Sequence, residues 1–156
     1  MQRLTMLVVA LAAAAATACV HSRNIAEPVS GAVTRVYPDS ARRVIAAAEQ
    51  SVTDEGIPIL YYDAKTHYLE TRYVDVGALH TLQETSQITG PERTVKFRFR
   101  TEPATGGTAL IAEAIYNRLG PQGGRATEEM VPRSNPAFSV LQRMLDHVSD
   151  HLPGGR

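Results

Sequence analysis

The sequence predicts an α+β domain: an antiparallel sheet of about four to five strands with two helices packed on one face, in the order β-α-β-β-β-β-α. Several segments alternate apolar and polar residues with a period of two, which is typical of strands with one buried face. Two others repeat apolar residues every three to four positions, as amphipathic helices do. A hydrophobic content of 44% with 21% charged residues is typical of a folded domain with a real core.

Residues 1–18 predict a removable export signal. Arg3 and the free amino group supply its positive charge, and an apolar run extends from Leu4 to Ala16. This run is too short for a transmembrane helix, which needs roughly 20 apolar residues, but it suits an export signal. The segment therefore predicts export.

The residues Ala16-Thr17-Ala18-Cys19 resemble the lipobox of bacterial lipoproteins, in which small residues precede an obligatory cysteine. The resemblance implies cleavage before Cys19, a diacylglyceryl group on its thiol and anchoring on a membrane surface. By analogy with enteric bacteria, Val20 in place of Asp after the cysteine favours the outer membrane, facing the periplasm. The alternative is cleavage by an ordinary signal peptidase, which would leave a secreted protein with one free thiol.

We expect residues 19–31 to be the lipidated cysteine and a flexible tether, because they contain Pro28 and Gly31 and no sustained period. Residues 32–156 then form a single domain. The chain carries 16 basic and 16 acidic residues. This balance provides no field that would recruit nucleic acid.

The domain begins with a predicted strand from Ala32 to Tyr37 and a helix of about four turns that opens at Pro38-Asp39-Ser40. Gly56 is suited to a left-handed cap at the end of this helix, and Pro58 prevents its continuation. The apolar stripe of the helix comprises Ala41, Val44, Ile45, Ala48 and Val52.

Two hairpins and a final helix follow. The first hairpin pairs Ile57–Tyr62 with His67–Val74, and the second pairs Arg93–Thr101 with Thr108–Asn117. Residues 75–92 form a long connection between them, with some helical tendency from Leu79 to Thr85. The final helix begins near Asn135-Pro136, and its stripe comprises Phe138, Leu141, Leu145, Val148 and Leu152.

The stretch from Val36 to Arg72 resembles the small domain repeated in BamC-type lipoproteins of the outer-membrane β-barrel assembly machinery. The resemblance implies a helix-grip, TATA-binding-protein-like domain that acts by protein contact, without catalysis. Those proteins usually hold two such domains, whereas this chain has room for one. The similar positions are Pro38-Asp39-Ser40, Val44, Ile45, Gly56-Ile57, Asp63 and Leu69-Glu70-Thr71.

Lys96, Arg98 and Arg100 alternate along one predicted strand and form a basic stripe. This stripe could receive an acidic partner or lipid head groups. The alternative is an ordinary solvated strand face, partly neutralised by neighbours such as Glu70 and Glu113.

His147 and His151 share a helix face, which is compatible with metal binding, but a helix C-terminus also favours histidines without any metal. No nucleophile motif, phosphate loop or third metal ligand accompanies them, so we predict no catalytic residue, metal or cofactor. Tyrosines could line a groove for a peptide or glycan, or simply pack in strands: Tyr61, Tyr62, Tyr68, Tyr73 and Tyr116.

The expected function is that of a non-enzymatic lipoprotein, held on the membrane through Cys19 and contacting another envelope protein in outer-membrane assembly or maintenance. A second possibility is a carrier of a small apolar or lipid ligand between the sheet and a helix. A third is an enzyme whose site is assembled from distant residues.

Overall fold

The computed structural model describes residues 25–78, 90–118 and 126–153. It confirms the α+β class and the predicted order, with more strands than expected. Cys19 and the segment from Leu79 to Thr85 lie outside the described residues. The elements are β1 (Val33–Tyr37), α1 (Ala41–Asp54), β2 (Ile59–Asp63), β3 (Tyr68–Thr71), β4 (Val74–Asp75), β5 (Thr94–Ala104), β6 (Gly107–Arg118), β7 (Thr127–Met130) and α2 (Pro136–Asp150).

The described strands form one antiparallel sheet in the order β1-β6-β5-β3-β2. The short β4 pairs with β5 beyond the end of β3, and β7 pairs with β6 beyond the end of β1. β4 therefore continues the row of β3, and β7 continues the row of β1, so the sheet stays five strands wide. The sequence did not predict β7 because its residues, Thr-Glu-Glu-Met, include two glutamates, which are depleted in strands.

One face of the sheet packs against both helices and forms the core. Val95, Phe97 and Phe99 point from β5 to this side and are fully buried. Phe97 and Phe99 lie opposite Ala114 and Ala112 of β6, so large side chains sit beside small ones. The helices contribute fully buried residues from the predicted stripes and some beyond them: Val44, Ile45, Ala48, Val52, Ala137, Val140, Leu141, Met144, Leu145 and Val148.

The helix ends follow local rules that the sequence carries. Helix α1 begins at Ala41, so Pro38 precedes the cap instead of lying in the first turn as expected. Gly56 adopts a φ of +71° after the helix, the left-handed conformation predicted for it. Helix α2 begins at Pro136, and the side chain of Asn135 caps it by accepting a hydrogen bond from the backbone N–H of Ala137.

The β5–β6 hairpin turns through Thr105 and Gly106, and β6 begins at Gly107 against the end of β1. A Cβ atom on Gly107 would lie 2.0 Å from the backbone oxygen of Tyr37. Gly106 also has a positive φ, but a Cβ atom there would meet nothing within 4 Å. Only glycine fits position 107 without moving the backbone.

We expect Gly107→Ala to lower the free energy of unfolding by about 3 kcal/mol, because it adds a backbone clash to an unfavourable φ. Gly106→Ala is the matched control and should cost only about 1 kcal/mol, the price of the positive φ alone. Urea denaturation followed by circular dichroism measures both, since the chain has no tryptophan. Equal costs would contradict the steric explanation.

Candidate functional site

The face of the sheet opposite the helices carries charged side chains from four strands. Lys96, Arg98 and Arg100 point to this side, because they alternate with the core residues of β5. Arg98 lies directly opposite Glu113 on β6 and Glu70 on β3. We call the following residues the charged cluster: Glu70, Lys96, Arg98, Arg100, Glu113 and Glu128.

Arg98 and Glu113 form the centre of the charged cluster. The Nε and Nη2 atoms of Arg98 donate to the Glu113 carboxylate at 2.6 and 3.2 Å. Their side chains are only 2% and 0% exposed. Arg98 Nη1 also donates to Glu128 at 3.0 Å. Burial by itself would lower the pKa of Arg98, but the hydrogen bond to Glu113 and the charges of Glu113 and Glu128 together outweigh it, so the pKa rises above its usual value.

Lys96 is held in the same way between two carboxylates. Its Nζ atom lies 2.9 Å from Glu70 and 2.5 Å from Glu128. Burial would lower the pKa of Lys96 and raise that of Glu128, but their mutual hydrogen bond and the neighbouring opposite charges together outweigh burial, so the pKa of Lys96 is raised and that of Glu128 is lowered. The Tyr68 hydroxyl donates to Glu70 at 2.7 Å. Burial is the larger cause, and this hydrogen bond the next, of the raised pKa of Tyr68.

The three predicted stripe residues therefore lie together, but not as an exposed basic surface. Lys96 and Arg98 are buried and paired with Glu70, Glu113 and Glu128. Glu70 and Glu113 were the neighbours expected to neutralise them. Residues that are distant along the chain cover this face and bury these ion pairs. Lys96 and Arg98 therefore do not form a solvated strand face, which was the alternative prediction.

Residues 25–31, the last part of the predicted tether, lie across this face, and we call them the strap. The backbone N–H of Val29 donates to Glu113 at 2.5 Å, and Arg100 donates to the carbonyl oxygen of Ala26 at 2.6 Å. Ile25 and Ala26 close one side of a small cavity of about 170 Å³. Its other lining residues are Tyr68, Glu70, Lys96, Arg98 and Glu128.

Of the remaining sequence candidates, Tyr68 and Tyr73 adjoin the charged cluster: Tyr68 bonds Glu70, and the Tyr73 ring lies 5.4 Å from Lys96 Nζ. The histidines lie apart from it. His151 bonds Asp54 at 2.8 Å and so links the ends of the two helices. The described residues contain no group of three or more metal-binding side chains. The tyrosines do not form one groove: Tyr61 and Tyr68 lie 6.0 Å apart on the strap side, while Tyr62 and Tyr116 pack against the core.

The positive and negative side chains of the charged cluster neutralise one another. Its three cations match its three carboxylates, and each charged head group has a partner of opposite sign within 4 Å. Sequence reasoning did not find Glu128, because β7 lacks an alternating apolar pattern. The space between sheet and helices, where an apolar ligand was considered, is occupied by fully buried side chains such as Phe97, Leu141 and Met144.

No protein-family model matches this chain, and no curated protein matches it. Neither helix of the described ranges is both long and apolar enough to cross a bilayer. The predicted export signal and the strap-covered face are the features of this chain that bear on its function.

We expect Glu113→Gln to lower the free energy of unfolding by about 3 kcal/mol, because it leaves Arg98 buried with its main counter-charge removed. The matched control is Arg118→Gln, which breaks an exposed pair with Glu129 and should cost less than about 0.5 kcal/mol. Urea denaturation at neutral pH measures both. Equal small losses would contradict a central role for the Arg98–Glu113 pair.

The lowered pKa of Glu128 predicts a pH-dependent contribution to stability. Its carboxylate should stabilise the fold fully above its usual pKa of 4.5 and lose this effect as the pH falls through the lower folded value. The stability difference between the wild type and Glu128→Gln should therefore shrink as the pH is lowered below 4.5. In a Lys96→Met background this pH dependence should be smaller, and an unchanged dependence would contradict the assignment.

Proposed function

We propose that this chain is an envelope lipoprotein, anchored through lipid on Cys19, whose α+β domain binds another envelope protein. The observation that carries the proposal is the sequence Ala16-Thr17-Ala18-Cys19, directly after a positive segment and a short apolar run. The chain has no other cysteine. Two or three acyl chains, each contributing about 0.8 kcal/mol per buried CH₂, hold a protein stably on a membrane.

The state of the charged cluster supports a binding role over a catalytic one. A general acid or base must reach a substrate atom, whereas Lys96, Arg98 and Glu113 are buried and bonded to partners within the domain. Their pairing favours a structural task, which is to hold the sheet and the strap together. A protein partner would therefore contact the outer surfaces of the domain.

The outer edge of β2 is the surface we propose for that contact. Among the described strands β2 lies at one end of the sheet, and an edge strand is where a strand of another protein can be added. Leu60 in this strand leaves 49% of its surface exposed. A strand of a partner protein could extend the sheet here, with Leu60 contributing an apolar contact.

Anchoring would make even a weak contact effective. A domain confined to a membrane surface meets membrane partners at a high effective concentration, so occupancy rises without any new contact. The resemblance to BamC-type lipoproteins supports partners that act in outer-membrane assembly or maintenance.

We expect Cys19→Ala to abolish incorporation of labelled fatty acid and to release the chain from membranes. A photo-crosslinker at Leu60 should capture one reproducible protein in wild-type membranes, and the Cys19→Ala change should sharply reduce this adduct, because confinement is lost. Fatty-acid labelling, membrane sedimentation and mass spectrometry of the adduct are the measurements.

The matched control places the crosslinker at Ala46, which is exposed on α1. It should not yield the same adduct. Unchanged fatty-acid labelling in Cys19→Ala would overturn the anchor. Two outcomes would overturn the binding surface alone, provided that Cys19→Ala loses fatty-acid labelling as expected. One is that Leu60 gives no adduct, and the other is that Leu60 and Ala46 give equal adducts.

A further inference from the structure

The strap determines where the chain leaves the domain. Val29 is bonded to Glu113 of β6, and Ala26 is bonded to Arg100 of β5. Ile25 borders a cavity that is also lined from β3, β5 and β7, so it lies over the middle strands of the sheet and not at its edge. The chain therefore arrives at the domain over the face opposite the helices.

The length of chain before the strap is short. From Cys19 to Ile25 there are 25 − 19 = 6 residue steps. At 3.3–3.6 Å per residue, this segment spans at most about 22 Å when fully extended. The Cys19 side chain and the glyceryl linker add about 5 Å of single bonds, so the surface that the lipid enters must lie within about 27 Å of Ile25.

The helix side of the domain lies outside this reach. A path from Ile25 to that side crosses about two strands, or about 10 Å, to the nearer edge of the sheet. It then passes the thickness of the sheet and of a helix layer about 10 Å in diameter. With a sheet layer and a helix layer of about 10 Å each, the whole path is about 30 Å. The segment from Cys19 and its lipid linker therefore cannot bring the outer surfaces of α1 and α2 onto the anchoring surface.

Charge is nearly balanced where the strap crosses the sheet. The charged cluster is neutral as a group, and the exposed residues of the strap include a single charge, on Glu27. The orientation should therefore follow from chain length and strap contacts, and it should form on a bilayer that carries no net charge.

We infer that the strap-covered face of the sheet is the surface that meets the phospholipid bilayer, with α1 and α2 directed away from it. This inference rests on the lipid anchor proposed above. It gives the two sides of the domain different tasks: the strap side faces lipid, while the helix side and the edge of β2 stay accessible to protein partners.

The test uses the full chain, processed in cells, extracted from the envelope and reconstituted in phosphatidylcholine vesicles that contain spin-labelled head groups as quenchers. A thiol-reactive dye is placed at Thr34→Cys, exposed on the strap side in β1, or at Ala46→Cys, exposed on α1. Quenching should be several-fold stronger at position 34, because the sheet and a helix layer of about 10 Å separate the two positions.

Mass spectrometry of the same sample separates the two proposals. A chain without diacylglyceryl on Cys19 overturns the proposed function and this inference with it. A lipidated chain with equal quenching at positions 34 and 46, or stronger quenching at 46, overturns the orientation and leaves the anchor standing.

Lengthening the tether tests whether its short length causes the orientation. An insertion of about twelve Gly and Ser residues before Ile25 adds a flexible spacer and triples the reach of the segment. It should preserve lipidation and make quenching at the two positions similar. The same insertion after Lys65, in the exposed turn between β2 and β3, is the matched control and should preserve the difference. If the lengthened chain kept the full difference in quenching between positions 34 and 46, the claim that tether length sets the orientation would be overturned.

Discussion

The buried pair of Arg98 and Glu113 is the interaction on which the rest of this structure depends. Removing two charges from water costs several kcal/mol for each ion, and only close, well-directed bonds recover that cost. Here Arg98 reaches Glu113 through two nitrogens, and Glu128 accepts from a third. Such geometry exists only when β5 and β6 pair in one register.

The same register of β5 and β6 also determines which side chains enter the core. Since side chains alternate along a strand, a shift of one residue would turn Arg98 toward the helices and Phe97 and Phe99 toward the strap. That alternative would bury a guanidinium among apolar groups and expose two aromatic rings. The Arg98–Glu113 pair and the apolar core therefore specify one pairing of β5 with β6, from opposite faces of the sheet.

The strap connects this register to the proposed anchor. Glu113 accepts hydrogen bonds from both Arg98 and the backbone of Val29, so the carboxylate at the centre of the charged cluster also holds the segment that leads to Cys19. A strand pairing far from the predicted export signal thereby decides, under the proposed function, which side of the domain faces the lipid. Under the proposed function, folding and orientation on the membrane depend on the same residue.

Local patterns in the sequence determined the fold class, the two helices with their buried stripes, both hairpins and the glycine cap at Gly56, because each depends on neighbours a few residues apart. The alternation of Lys96, Arg98 and Arg100 likewise showed that they share a face. Whether that face is wet, paired or covered was decided only by the tertiary structure. Its partners are distant: Glu128 is 30 residues from Arg98, and Ala26 is 74 residues from Arg100. Periodicity indicates which side chains point the same way, but burial and charge pairing depend on what the rest of the chain brings against them.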